Sequence, residues 1–517
     1  MAGGLFKENK YLRMFTLALF VVLALAGLAF SLYILYEAHT VYMYALGLFL
    51  LGLSLVSGFF NVFAGFLYYR SYFYDRHLDA LKAALKPMRR FPTVAIAMPV
   101  YNEDPKLVMR NMLQLTRLNY PKDRVRFYLL DDSTEGGIAA QLKEFAAEHG
   151  ITYLHRAERN AFKAGNLNNM LKYSKEEFLA VFDYDEYLTN TNFLLDLIPY
   201  FHDKDIGYIQ TEKSSFGGTF FSDSVNLFDA FFFKFIQPAR AFDNTAIFAG
   251  SCGIIRRKAL DRIGGFPEYV IEDTFLSFES NLHNYKGLYI PKIYAYGRPI
   301  RTFSALSKQQ WRYNYGDTQF LLYYFKRRTS RFKRASPLWN IDYITHGFGL
   351  NYLSVTLILF TIASIMIVFS NLQFVHLSLF QIMSSGSAMI YLEIMGALAV
   401  ILSFFMPVFL TRVYFKSVTK GLMVFILNFS LAMVRTKAAI SAIFNRRPSW
   451  QWTRRAQGRK GYLLYSLYST RYELGFSSLL FALGGMAYLT NNITGSLWLA
   501  LYGALYTGAT FMMYKYG

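Results

Sequence analysis

Apolar positions along this chain fall into long uncharged runs near both ends and short runs in the middle. Residues 14–36 and 41–69 contain no Asp, Glu, Lys or Arg and are separated by Glu37-Ala-His-Thr40. A second uncharged block, residues 343–392, is broken near Ser384-Ser-Gly-Ser387 and continues past Glu393 to Leu410; a third, residues 474–514, is broken at Asn491-Asn-Ile-Thr-Gly495. A hydrocarbon core about 30 Å thick is crossed by roughly 20 apolar helical residues. The pattern therefore predicts six spans, two before a polar middle and four after it. Residues 421–434 are also apolar but number only fourteen, and a crossing there would put the basic run Arg446–Lys460 on the far side. The reading is a helix over 418–445 lying along the membrane face, with a re-entrant helix at 420–445 as the alternative.

In the middle, residues 70–90 carry Arg70, Arg76, Lys82, Lys86, Arg89 and Arg90 and predict a basic helix at the membrane surface. Short apolar runs then alternate with helical periods: a strand at Val94–Val100, a helix over 105–117 and a strand at 126–130. A helix over 137–149, a strand at 152–154, a helix over 164–173 and a strand at 178–182 continue the series. Strands alternating with helices predict an α/β domain with a mostly parallel, doubly wound sheet. Such sheets bind ligands beyond the carboxyl ends of their strands, where Asp131, Asp132, Asp183 and Asp185 fall.

Composition and charge sharpen this picture. Hydrophobic residues make up 54% of the 517 and charged residues 17%, a membrane-like balance. The formal charge is +20, and every Lys and Arg falls in residues 1–13, 70–342 or 412–473 or at Lys515, with none in the short connections at 37–40, 372–387 and 491–495. The positive-inside rule makes those four regions cytoplasmic, with both termini inside. Orientation thus explains the charge, and no nucleic-acid partner is needed. No cleaved leader is expected, because a second span follows residues 14–36 at once. A single cysteine, Cys252, excludes a disulfide framework and a thiolate zinc site.

Several acidic and basic residues carry candidate chemistry, each with a plainer alternative. Asp183-Tyr-Asp185 ends an apolar strand, so two carboxylates at i and i+2 could share one divalent cation, Mg²⁺ or Mn²⁺, or form a solvated turn. Lys163-Ala-Gly-Asn-Leu-Asn168 opens a helix where backbone N–H groups and Lys163 could meet an anion, or is simply a Gly/Asn helix start. In Glu272-Asp273 a carboxylate could take a proton from an attacking hydroxyl, or cap a helix from Leu276. Gln309 and Arg312 share a helix face, suited to phosphate contact or to a basic face near lipid.

The order of these motifs resembles the membrane-embedded family-2 glycosyltransferases, the group of cellulose, hyaluronan and mannan synthases. The resemblance covers residues 90–325 and, in layout, the flanking spans. It implies a GT-A fold and inverting transfer of a sugar from a nucleotide donor, a UDP- or GDP-sugar, to a growing polysaccharide. By position, Pro99-x-Tyr101-Asn-Glu103 matches the segment cradling the nucleoside, and Asp131/Asp132 match the doublet contacting base and ribose. Lys163 matches the lysine near the phosphates and Asp183/Asp185 the metal-binding pair. Gln210-Thr211 and Gly250-Ser251-Cys252-Gly253 match acceptor-side elements. Asp273, beside Glu272, matches the catalytic base, and Gln309 and Arg312 match two positions of Q-x-x-R-W.

Three departures stand out. Ile271 replaces Thr or Ser, Tyr313 replaces the Trp that packs on the acceptor sugar, and Trp450-Gln-Trp-Thr-Arg454-Arg455 resembles the F-x-x-T-P-K gating segment without its proline. The expected layout is an N-terminal hairpin (1–69), a cytoplasmic catalytic domain (70–337), a membrane hairpin (338–411), an interfacial helix with the gating-like loop (412–473) and a C-terminal hairpin (474–517). Competing readings are transfer of one or a few sugars to a lipid-linked acceptor, and a non-enzymatic transporter or nucleotide-sensing receptor. Transporters place charges at mid-membrane, whereas Glu393 is the one such residue in a predicted span.

Overall fold

The computed structural model describes residues 10–85, 87–156, 158–327, 337–369, 402, 405–445 and 462–517. The gating-like segment 450–455 and most of 370–404 lie outside the described residues.

Eight strands form one sheet in the order β3-β2-β1-β4-β7-β6-β8-β5. They are β1 (Val94–Val100), β2 (Val125–Asp131), β3 (Thr152–His155), β4 (Phe178–Val181), β5 (Tyr187–Leu188), β6 (Ile206–Ser215), β7 (Gly253–Arg256) and β8 (Lys286–Gly297). The first half is parallel, with β1 between β2 and β4. The chain winds from β1 outward to β3 and then returns to the other side of β1, which opens a crevice beyond the ends of β1 and β4. The second half is mixed: β6 pairs parallel with β8, so four of the seven strand pairings are parallel, in keeping with the expected mostly parallel sheet. There β7 is antiparallel to both neighbours, β4 and β6, and β5 is antiparallel to β8.

Burial explains why the early strands form. Val94 to Met98 are completely buried, as expected of strands covered by helices on both faces. One face packs on helices Pro105–Leu115 and Gly136–Glu148 through Val108, Met112, Leu142 and Phe145. The other packs on Phe162–Leu171 through Ala164, Leu167 and Met170. Asp104 caps helix Pro105–Leu115 by accepting from the Lys106 N–H. This places Tyr101 and Glu103 at the turn between β1 and that helix.

The expected basic helix over 70–90 is shorter. A helix over Val41–Ser71 is followed by a separate one over Tyr74–Ala83. Among the described residues, four helices are long and apolar enough to cross a membrane: Lys10–Tyr36, Val41–Ala83, Tyr352–Phe369 and Val418–Ile443. Where a C-terminal membrane hairpin is expected the chain forms two helices, Arg471–Leu489 and Ile493–Tyr516, which are not among those four.

Val418–Ile443 differs from the other three candidates, with 67% of its apolar window buried against 33% or less in each of the rest. Its partners are protein. Leu427 and Leu431 pack with Phe221, Phe303 and Met512. Arg435 donates to Gln310 Oε1 at 3.0 Å and to Asn428 Oδ1 at 3.1 Å. Tyr315 packs against Ala438 and Ala442. This helix therefore backs helix Phe303–Lys326, which carries Gln309, Arg312 and Tyr313. Gln310 and Asn314 are buried on its inner side, so the next residues round the helix, Gln309 and Tyr313, lie on a different face.

Candidate active site

The D-x-D turn follows β4 directly. Phe182 extends the ladder by donating its N–H to Ala97 O, and the turn closes with Glu186 N–H on Asp183 O. The two aspartates have opposite surroundings. Asp183 Oδ1 receives Lys163 Nζ at 2.6 Å, and its Oδ2 lies 2.8 Å from Ser251 Oγ and 3.5 Å from Lys213 Nζ. Burial pushes Asp183 upward, but the two lysines outweigh it and hold the carboxyl below the usual carboxylate range.

Asp185 has no hydrogen-bond or ion-pair partner among the described residues. Burial, together with Asp183, Glu186 and Glu103, pushes it up to about 7. A carboxylate crowded by like charge is suited to meet a cation. Among the described residues no three His, Cys, Asp or Glu side chains converge as a ready-made cage. That fits Mg²⁺ or Mn²⁺, which use one or two carboxylates and complete their shell with phosphate and water.

The opposite wall is a loop, Ala249-Gly-Ser-Cys252, that crosses toward helix Glu272–Leu282. That helix begins at Glu272 rather than near Leu276. Asp273 Oδ1 accepts from the Thr274 N–H at 2.8 Å, while Oδ2 faces Gly250. Gly250 has φ +81°, and a Cβ there would lie 3.2 Å from Asp273 Oδ2 and 3.8 Å from Lys163 Nζ. Lys163 also donates to Gly250 O at 3.0 Å. One backbone position therefore links Asp273 to Lys163, and Lys163 to the D-x-D turn.

Gly250→Ala should cost about 1–2 kcal/mol from the left-handed backbone alone and displace Asp273. The expected result is a lower melting temperature together with at least a roughly tenfold loss of turnover, read by thermal melting and initial rates.

Burial, with Asp273 beside it, raises Glu272 to about 7, and burial raises Asp273 as well. Lys163 and Arg312 oppose both shifts, so all four groups lie within electrostatic reach of one another. Arg312 is exposed at the rim, its guanidinium 5.3 Å from the Tyr313 ring centroid. Gln309 Nε2 lies 3.3 Å from the Tyr313 hydroxyl. Asp185, Asp183, Lys163, Asp273, Glu272 and Arg312 thus share one cleft.

Beyond β1 and β2 lies a second group of polar residues. Asp131 is fully buried and accepts from the Tyr153 hydroxyl at 2.7 Å and from the Ser133 N–H at 2.8 Å. Asp132 accepts from Arg156 Nε at 2.8 Å. The Arg159 guanidinium lies 3.7 Å from the Tyr101 ring centroid, a cation–π stack that makes a flat platform at the crevice. Gly165 of the K-A-G-N motif is required by close packing, since a Cβ would lie 2.1 Å from Asn160 O.

Three residues expected on the acceptor side are buried: Gln210, Ser251 and Cys252 are at most 1% exposed. The Gln210 amide donates to Thr211 O and Ser251 O and accepts from the Ala249 N–H. The Ser251 hydroxyl bonds Asp183 and Glu186, and Cys252 bonds through its backbone to Val181 and Thr211. These bonds hold the loop from beneath. Sequence reading missed Lys213, Arg156 and Arg159. The last two follow β3 in a basic run, His155-Arg-Ala-Glu-Arg159, which was the available signal.

Residues 95–264 match the family model described as Glycosyl transferase family 2. Residues 95–264 therefore carry a family-2 glycosyltransferase domain, and the chain is similar over that region to cellulose synthases. It is 30% identical over 236 residues to a UDP-forming cellulose synthase catalytic subunit of Pseudomonas fluorescens, covering 44% of this chain and 31% of that one. It is 32% identical over 222 residues to a putative cellulose synthase 2 of Komagataeibacter xylinus, covering 41% of this chain and 14% of that one. The chain thus spans less than a third of the length of either relative. A solved mannosyltransferase from Pyrobaculum calidifontis, in complex with GDP-Man and Mn²⁺, superposes with a TM-score of 0.49 at 15% identity, covering 76% of this chain and all of that one.

Proposed function

We propose that this protein is a membrane-bound inverting glycosyltransferase that moves a sugar from a UDP- or GDP-sugar to a growing polysaccharide. The single observation that carries the reading is the meeting of Asp273, Gly250, Lys163 and Asp183 around one short segment of cleft. A candidate base and the D-x-D turn are thereby linked through Gly250 and Lys163.

Tyr101 and Arg159 provide the flat platform for the nucleoside, with Asp131, Asp132 and Glu103 around it. Asp185, helped by the charge of Asp183, would hold Mg²⁺ or Mn²⁺, which when bound neutralises diphosphate charge. Gln309 and Arg312 close the cleft from the facing helix, and Lys163 and Arg312 oppose the charge that develops on the departing diphosphate. Asp273, through Oδ2, takes the proton of the acceptor hydroxyl as that hydroxyl attacks the anomeric carbon from the face opposite the leaving group. Burial and mutual repulsion raise both Glu272 and Asp273, so the pair holds a proton more readily than an isolated carboxylate and titrates as one unit. Tyr313 presents an aromatic face to the acceptor sugar. The basic flanks orient the cleft and both termini toward the cytoplasm, where nucleotide sugars are available.

The test is release of nucleoside diphosphate by purified protein in detergent from a panel of UDP- and GDP-sugars, with Mg²⁺ or Mn²⁺. Release coupled to labelled product is the expected result, and long product on a gel distinguishes polysaccharide from short glycolipid. Binding without release would instead favour a nucleotide-sensing protein.

A further inference from the structure

Lys213, at the end of β6, is the residue of this cleft that neither the motifs nor the resemblance assigns. Its ammonium lies 2.5 Å from Ser251 Oγ, 3.2 Å from Glu186 Oε1, 3.5 Å from Asp183 Oδ2 and 3.5 Å from Ala249 O. It therefore ties together the two halves of the site: the acidic turn after β4 and the loop whose Gly250 abuts Asp273. Ser251 Oγ sits between them, 2.8 Å from Asp183 Oδ2 and 2.7 Å from Glu186 Oε1. The second Glu186 oxygen accepts from the Asp183 N–H at 2.9 Å. Three of the four oxygens on Asp183 and Glu186 thus face Lys213, Ser251 or Lys163, and the fourth is occupied by backbone.

We propose that Lys213 is a positioning residue which commits Asp183 and Glu186 to internal contacts, leaving Asp185 as the one carboxylate of the turn that presents to the diphosphate-bound cation. The inference rests on the glycosyltransferase reading of the cleft. Lys163 holds one oxygen of Asp183 and Lys213 holds the other side, so Asp183 acts as the joint between two fixed cations. Lys213 also sets where the Ala249–Ser251 loop stands relative to Asp273, and so the spacing between donor and base.

The sign of the effect on metal binding separates this role from plain structural support. Removing Lys213 deletes a positive charge among three carboxylates and frees two of them. Mn²⁺ alone, without any nucleotide sugar, should then bind more tightly by roughly tenfold or more, while kcat falls by about 10- to 100-fold because the loop beside Asp273 loses its anchor. A support residue would weaken both.

The experiment titrates Mn²⁺ into purified wild-type, Lys213→Met, Lys213→Gln and Lys213→Arg proteins, following free Mn²⁺ by electron paramagnetic resonance. Lys213→Gln keeps a hydrogen-bonding head near Ser251 and removes only the charge, so it carries the same prediction if Lys213→Met does not fold. Lys213→Arg restores the charge and should return Mn²⁺ affinity to within about threefold of wild type. Unchanged or weaker Mn²⁺ binding in folded Lys213→Met or Lys213→Gln overturns the proposal. Because no donor is present, that failure leaves the transferase reading intact, which wild-type diphosphate release tests separately.

Discussion

Asp273→Asn is expected to lower kcat by about 10²–10⁴-fold with little change in donor KM. The substitution keeps the shape of the side chain and removes its ability to accept a proton. The Thr274 N–H contact to Oδ1 survives in the amide if its oxygen takes that position. The donor is held elsewhere, by the D-x-D turn and the nucleoside platform, so its binding does not pass through this oxygen. Initial rates over a range of donor concentrations separate the two parameters. Near-normal kcat would move the proton acceptor to another group, with Glu272 the first alternative because it stands next in the chain and in the same field.

Asp185→Asn should reduce turnover by about 10²–10³-fold at moderate Mn²⁺ while making the metal-free protein less sensitive to pH rising from 3.8 to about 7. In the folded protein Asp185 is pushed from 3.8 up to about 7, by burial and then by neighbouring carboxylates. A carboxyl with a raised folded value binds its proton more tightly when folded. Its contribution to stability is therefore full below the unfolded value and is lost as pH rises through about 7. In wild type without metal, melting temperature should fall across that window, and Asp185→Asn should flatten the fall. Adding Mn²⁺ should restore the wild type and leave the variant unmoved. The same pH slope in both proteins would remove Asp185 from the role of lone charged ligand.

The first, parallel half of the sheet was legible in the sequence because its strands are apolar throughout. Val94–Val100 and Phe178–Val181 are buried on both faces and end abruptly at polar turns, so composition alone marks them. The other half was not. β6 places Gln210, Thr211 and Glu212 in buried positions, which erases the apolar run, and β8 contains Pro291 with register shifts along its pairing to β6. Those polar residues are satisfied by a loop some forty positions away, as Gln210 is by Ala249 and Ser251, and no local pattern encodes such a contact. The antiparallel strand β7 was hidden for the same reason, since it follows a turn at Gly250 that reads as loop.

The candidate site divides along similar lines. Acidic residues at strand ends and the Gln309/Arg312 pair were readable from position, and the cleft gathers Asp183, Asp185, Lys163, Glu272, Asp273 and Arg312. Direction was not readable. Gln210, Ser251 and Cys252 lie at matching positions, yet their side chains turn inward. A half-buried lysine such as Lys213 also looks in sequence like any surface lysine, because its partners Asp183, Glu186 and Ser251 are near only after folding. The helix Val418–Ile443 shows the same limit. Its apolar stretch resembles a membrane segment, whereas Arg435 and its bond to Gln310 fix it against the helix of the site.

The central claim is that a hydroxyl activated by Asp273 attacks from the side opposite the diphosphate held at Asp185. The most direct test is the configuration of the newly formed glycosidic bond, read by proton NMR on product made from an α-linked nucleotide sugar. A β linkage is the predicted result. An α linkage would mean that leaving group and acceptor share a face, which contradicts the role given to Asp273.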